Sequence, residues 1–195
     1  MKILKTDCLS DGFRMPGEFE KQDGCLMIYP WRPGSWNYNA KYARDVFVEI
    51  AHILAAYEDV YMIVRPEDMK EAVTRLDHPH IHIIEARSDD AWARDTGPSF
   101  VVNDKGERRG INWEFNAWGG SYDGLYSHWE NDQVIPSLIC ESLGDDLYEA
   151  RPFVLEGGSI HVDGEGTLIT TEECLLSPGR NPTMTRDEIE GKLKQ

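Results

Sequence analysis

Positive charge is scarce in this sequence. Twenty lysines and arginines stand against 35 aspartates and glutamates, leaving a formal net charge of −15. A field of that sign repels nucleic acid and anionic membrane surfaces, so neither is an expected partner, and a cation is the natural ligand. By itself an acidic balance speaks first to solubility. Its distribution says more: from Glu141 to Glu173 nine carboxylates are accompanied by one basic residue, Arg151. Cysteine is sparse as well. Cys8, Cys25, Cys140 and Cys174 lie far apart with no CxxC pair, which argues against a thiolate zinc site and against a disulfide scaffold. No segment approaches the ~20 apolar residues of a membrane span. The opening MKILKTDCLSDG has an apolar run too short for a secretory leader. Together these absences point to a reduced, cytoplasmic setting. What remains is ample for a core: 195 residues, 41% of them hydrophobic, suit one globular domain.

The hydrophobic pattern alternates between two periods. CLMIYP (25–30), VYMIV (60–64) and HIHIIE (80–85) read as buried strands. Between them, Tyr42, Val46, Ile50, Ile53, Leu54 and Tyr57 recur at helical spacing, predicting an amphipathic helix over 40–57 that buries this face. Pro66 opens a second helix, with Glu67 and Asp68 in its first turn. This order predicts an α/β protein with crossover units. Beyond it the chain predicts a hairpin turning at Asn103-Asp104-Lys105-Gly106, a Trp- and Gly-rich loop, a helix over 131–143 and a hairpin turning at Asp163-Gly164-Glu165-Gly166. Thr185 and Glu188 have capping-box spacing ahead of a last helix. The first dozen residues read as an arm.

Two stretches repeat one another. Asp95-Thr96-Gly97 leads into the first hairpin and Glu156-Gly157-Gly158 into the second, the acids 61 residues apart and the turns 60. Each copy of this repeat of about 60 residues would place an acid and a glycine at the entrance to a hairpin.

The run DDAWARDTGPSF (89–100) sets Asp89, Asp90 and Asp95 around Trp92 and Arg94, and Thr96-Gly97-Pro98 is expected to keep it from forming a helix. A guanidinium carries five donors in a planar fork and a π-face, so carboxylates and an aromatic ring are the groups that hold it. Asp95, Trp92 and Glu156 supply those parts and are expected to converge on one cleft. On this run alone, a turn-capping aspartate or an ion pair with Arg94 serves equally well.

Longer strings narrow the choice. DGFRMPGEFE, DDAWARDTGPSFVVNDKGERRGINWEFNAWGG and LEGGSIHVDGEGTLITTEECLLSPGRNP resemble the N-terminal half of the agmatine deiminase family, in the guanidine-modifying superfamily that includes peptidylarginine deiminases. The resemblance covers nearly all of residues 11–195. It implies the pentein fold, a pseudo-five-fold α/β propeller, of which residues 1–195 would form a partial domain of about three modules. It also implies hydrolysis of the small cation agmatine to N-carbamoylputrescine and ammonia, with no metal or organic cofactor. A cysteine thiolate would attack the guanidinium carbon to form a covalent amidino intermediate, while a histidine moves protons. On this resemblance Asp95 and Glu156 are the catalytic acids that hold the guanidinium or intermediate, and Trp92 flanks it. The family's GGGNIHC-like cysteine string and GHVD-like histidine string have no match here. The chain therefore looks cut and is expected to be inactive alone. The HVD of His161–Asp163 belongs instead to the second hairpin.

Two other readings stay open. The chain alone would serve as a non-catalytic polyamine-binding module. His78, His80 and His82 alternate along one strand face and would bind zinc or copper if further ligands joined them, although a solvated strand edge explains them more simply. Self-association into a homo-oligomer is also left open.

Overall fold

Strands and short helices alternate along the computed structural model, which describes residues 1–195. The first part runs β1 (Ile3–Leu4), β2 (Gly24–Ile28), α1 (Lys41–Leu54), β3 (Asp59–Val64), α2 (Met69–Arg75), β4 (Ile81–Glu85) and α3 (Ala93–Thr96). The second runs β5 (Ser99–Val102), β6 (Arg108–Glu114), α4 (Gly120–Asp123), α5 (Ile135–Leu143), β7 (Asp146–Val154), β8 (His161–Val162), β9 (Leu168–Ile169), α6 (Glu172–Leu175) and α7 (Arg186–Leu193). The chain divides into two units, one of residues Lys21–Ala93 with Glu130–Asp132, the other of Met1–Glu20, Arg94–Trp129 and Gln133–Gln195.

The unit of Lys21–Ala93 is a three-stranded parallel sheet, β2-β3-β4, whose crossovers are α1 and α2. The three strands and the connecting helices are those expected from the sequence. The buried face of α1 is not. Tyr42, Val46, Ile50, Ile53 and Tyr57 are 59, 51, 40, 57 and 88% exposed, and of the expected stripe only Leu54 packs inward. The face against the sheet is made by Phe47, Val48, Ala51, Leu54 and Ala55. Two alanines let the helix approach the strands closely, and Arg44 fixes its rotation by pairing with Asp68 and Glu71, each at 2.7 Å, and donating to the Pro30 carbonyl. α1 is thus apolar on two faces, and periodicity does not say which of them is buried.

The other unit is built on a sheet of order β1-β7-β6-β5, with β5 and β6 antiparallel and β6-β7 and β7-β1 parallel. Two of these strands have no strong signal in the sequence. β1 falls in the supposed arm. β7 reads DLYEARPFV, too polar for a buried run, yet it lies between two neighbours. Pro152 falls where the pairing with β6 skips, between Glu149↔Asn112 and Val154↔Glu114, so its missing N–H interrupts no ladder bond. The last helix carries the expected capping box, Thr185 and Glu188 serving each other's backbone N–H.

The expected repeat has a precise counterpart in its turns. Asn103 Oδ1 accepts from the N–H groups of Lys105 and Glu107 at 3.0 Å, and Asp163 Oδ1 accepts from those of Glu165 and Thr167 at 2.8 and 3.0 Å. Gly106 and Gly166 follow at the same offset, both with positive φ (77° and 104°), which a side chain would strain. β5-β6 and β8-β9 are therefore antiparallel hairpins closed by the same five-residue loop.

Candidate functional site

α3 carries the first acid. The segment expected to be non-helical makes this single helical turn, Ala93–Thr96, and ends there, since Pro98 disfavours a helical residue before it. Arg94 and Asp95 leave that turn in different directions. Arg94 Nε donates to the Gly157 carbonyl at 2.9 Å, its NH2 donates to the Ile160 carbonyl at 3.4 Å, and its guanidinium pairs with Glu18. The arginine thereby ties the turn to the segment of the second acid. Asp95 accepts the Gly158 N–H at 3.0 Å and the Trp118 indole N–H. The approach is close enough to require glycine. A Cβ at Gly157 would lie 2.2 Å from the Arg94 carbonyl oxygen, and one at Gly158 would lie 2.5 Å from Asp95 Oδ1.

Glu156, the second acid, precedes those glycines and is 1% exposed. Arg180 Nε donates to its Oε1 at 2.7 Å, and Arg180 NH1 lies 3.8 Å from Asp123 Oδ1. Burial pushes the pKa of both Asp95 and Glu156 up, against the pull of Gly158 and Arg94 on Asp95 and of Arg180 on Glu156; Asp95 adds a smaller upward push on Glu156. Two acids distant in sequence are thus anchored on one junction, with a strained neighbour. Ala117 and Trp118 have φ of 53° and 65°, followed by Gly119 and Gly120, also positive. Non-glycine residues in that region store strain and are held there by their surroundings. Here Trp118 is wedged edge-on between Phe115 and Tyr126, with ring centroids 5.2 and 5.9 Å away.

The other residues singled out in the sequence have different employments. Asp89 and Asp90 are buried within the unit of Lys21–Ala93. Asp89 accepts the backbone and side-chain N–H of Asn131, each at 2.8 Å. Asp90 accepts from Ser35, the Trp36 indole and the Ala91 N–H. Trp92 belongs to that same unit, is 38% exposed and stacks on Trp36 at 5.8 Å. His161 is exposed and Asp163 holds its own turn. His80 and His82 both contact Asp59 Oδ1, at 2.9 and 3.1 Å, and no group of three or more His, Cys, Asp or Glu is arranged to hold a metal. Among the thiols, burial raises the pKa of Cys8 and Cys25 and pushes that of Cys140 up to about 12.

The family model of Porphyromonas-type peptidyl-arginine deiminases matches residues 14–195. The chain belongs to that family. A Streptococcus mutans protein provisionally named an agmatine deiminase is 51% identical over 99% of this chain and 53% of its own length. The solved agmatine deiminase of Enterococcus faecalis is 45% identical, with a TM-score of 0.95 over 99% of this chain and 53% of that one. A cysteine-to-serine variant of C. jejuni agmatine deiminase, solved with substrate bound, is 25% identical with a TM-score of 0.79 over 93% of this chain and 52% of that one. The chain spans about half the length of the relatives it matches. Its α/β fold is that of the deiminase structures, the pentein fold expected from the sequence. Three residues at the site were not foreseen: Trp118, Asp123 and Arg180. Trp118 sits in the NAWGG string, where a Trp followed by two glycines offered the one available signal.

Proposed function

We propose that this chain is the guanidinium-holding part of an agmatine deiminase, contributing about three modules of one pentein domain, and that the whole protein converts agmatine and water to N-carbamoylputrescine and ammonia. The observation that carries the reading is the junction of Asp95 and Glu156, 61 residues apart in sequence, at Gly157-Gly158. Two carboxylates there suit a planar cation whose N–H groups are taken in pairs. Because burial raises both acids, an entering cation is bound more tightly once their protons have left. Agmatine affinity should therefore fall as pH is lowered towards the raised pKa values.

The thiol for the chemistry is assigned to the part of the longer relatives that this chain does not match. A nucleophilic cysteine needs a depressed pKa, and Cys8, Cys25 and Cys140 have raised ones. Substrate retained by a cysteine-to-serine variant of the C. jejuni relative supports a cysteine nucleophile. In the reaction, the thiolate adds to the guanidinium carbon, and the histidine protonates the departing ammonia. Water then cleaves the amidino–sulfur bond, releasing N-carbamoylputrescine and the thiolate. Asp95 and Glu156 hold the carbon in line for both attacks.

Calorimetry with the purified 195-residue chain tests this. Agmatine should bind at pH 8, bind less at pH 5, lose its binding in Asp95→Asn and release no ammonia. A folded chain that ignores agmatine overturns the binding role; ammonia release overturns the placement of the nucleophile.

A further inference from the structure

Glu156 is already in contact with a guanidinium belonging to the protein. Arg180 lies on the loop after α6, and that loop is tied down on both sides of it. Its N–H donates to the Ser177 carbonyl at 2.9 Å, and the Gly179 carbonyl accepts from Asn116 Nδ2 at 2.8 Å. Asn181 then mimics a strand partner, accepting the Val154 N–H at 3.0 Å and donating to the Val154 carbonyl at 2.9 Å, two residues before Glu156. Gly179 packs against the end of α4 so closely that a Cβ there would lie 2.4 Å from Asp123 Oδ1. The arginine side chain is 10% exposed and reaches Glu156 Oε1 through Nε alone. This is a fixed pair, unlike the pairs of long exposed side chains elsewhere on the surface, whose worth is small.

We propose that Arg180 is a positioning residue for Glu156, which keeps that carboxylate ionised and turned so that its second oxygen is left for the substrate's guanidinium. The idea rests on the functional reading above and adds the group that sets its working pH range. The charges facing Glu156 are few: Arg180 from the loop after α6 and Asp95 from α3, with Asp123 of α4 beyond Arg180. Arg94 meets this segment through backbone carbonyls and not through the carboxylate. Burial and Asp95 both favour the protonated acid, and Arg180 is the cation that opposes them. Asp123 has a second use, since it shares the charge of Arg180 and so limits the repulsion that a second guanidinium would meet.

The test follows the titration of Glu156 by carboxyl-carbon NMR, assigned by its loss in Glu156→Gln, in the wild-type chain, Arg180→Gln and Arg180→Lys. Arg180→Gln should move the Glu156 titration upward by about one pH unit or more, the size expected from removing an adjacent opposite charge. Agmatine binding should weaken about tenfold at pH 7 and recover towards pH 9, where Glu156 ionises without help. Arg180→Lys should restore the pH midpoint, and it is the informative variant if Arg180→Gln does not fold. An unchanged Glu156 titration in folded Arg180→Gln overturns the proposal, as does a Glu156 midpoint in Arg180→Lys that departs from the wild-type one, or a loss of affinity equal at every pH, the mark of a purely structural role. Failure of the functional reading would look different: wild-type chain would not bind agmatine, while the Glu156 titration would still report on Arg180.

Discussion

Replacing Gly158 by alanine adds one carbon at a crowded point of the site. That Cβ would lie 2.5 Å from Asp95 Oδ1, whereas ordinary contact begins near 3.4 Å. About 0.9 Å of separation has to be found. The Gly158 side of the contact is backbone next to Gly157, whose own Cβ position is blocked 2.2 Å from the Arg94 carbonyl, so the aspartate must yield. Its movement stretches the 3.0 Å bond from the Gly158 N–H. A hydrogen bond to a charged group contributes ~1.5–3 kcal/mol, and the lower end applies to a half-buried carboxylate. A loss of ~1.4 kcal/mol is a tenfold weaker complex, so agmatine affinity should drop about tenfold at pH 8. In the whole enzyme a displacement of ~1 Å should lower turnover by about a hundredfold. Titration calorimetry on Gly158→Ala reads the first effect and steady-state ammonia release the second. Wild-type affinity, with the Asp95 titration unmoved, would refute the claim that the glycine spaces the acid.

Gly191 is the matched control, since it lies inside α7 with nothing within 4 Å of a Cβ, and Gly191→Ala should stabilise the chain by ~0.5–1 kcal/mol in urea unfolding without altering agmatine binding. Asp95→Asn should raise Tm more at pH 8 than at pH 5. The sign follows from a folded-state pKa above the unfolded one, which makes the cost of the buried charge complete above the folded value and absent below the unfolded one. A double change of Ile50 and Ile53 to glutamine should leave stability within ~0.5 kcal/mol and reduce binding of an apolar dye, whereas Ala51→Leu, at 0% exposure, should destabilise by ~1–3 kcal/mol. The reverse ranking by thermal unfolding would restore the inward orientation of the Tyr42 stripe.

The parts of this molecule legible in its sequence are those where one signal is unopposed. β2, β3 and β4 are short apolar runs between breakers, and both hairpins announce themselves by nearly the same acid-to-turn spacing, eight residues from Asp95 to Asn103 and seven from Glu156 to Asp163. Asp95 and Glu156 stood out because that spacing repeats. The failures have physical reasons. α1 carries apolar side chains on two faces, and its burial is decided by alanines and by Arg44 reaching Asp68 and Glu71 across other elements. β7 is polar because its stability comes from two neighbouring strands, which its own residues cannot reveal. Trp118 and Arg180 reach the acids only after distant segments have packed, through a left-handed backbone in one case and a loop stitched to Val154 in the other.

The twin loops at Asn103 and Asp163 make the same bonds with different chemistry. The amide of Asn103 has no charge to lose, while the carboxylate of Asp163 is held below its usual range by the Thr167 hydroxyl and by the N–H groups of Glu165 and Thr167. A depressed carboxylate contributes stability that is present above its unfolded pKa and lost as pH falls through the folded one. Acid therefore weakens the turn of the hairpin after Glu156, whereas the Asn103 Oδ1 bonds of its counterpart do not titrate. The two hairpins differ in acid tolerance, and amide exchange at the turn after Glu156 should rise first as pH is lowered.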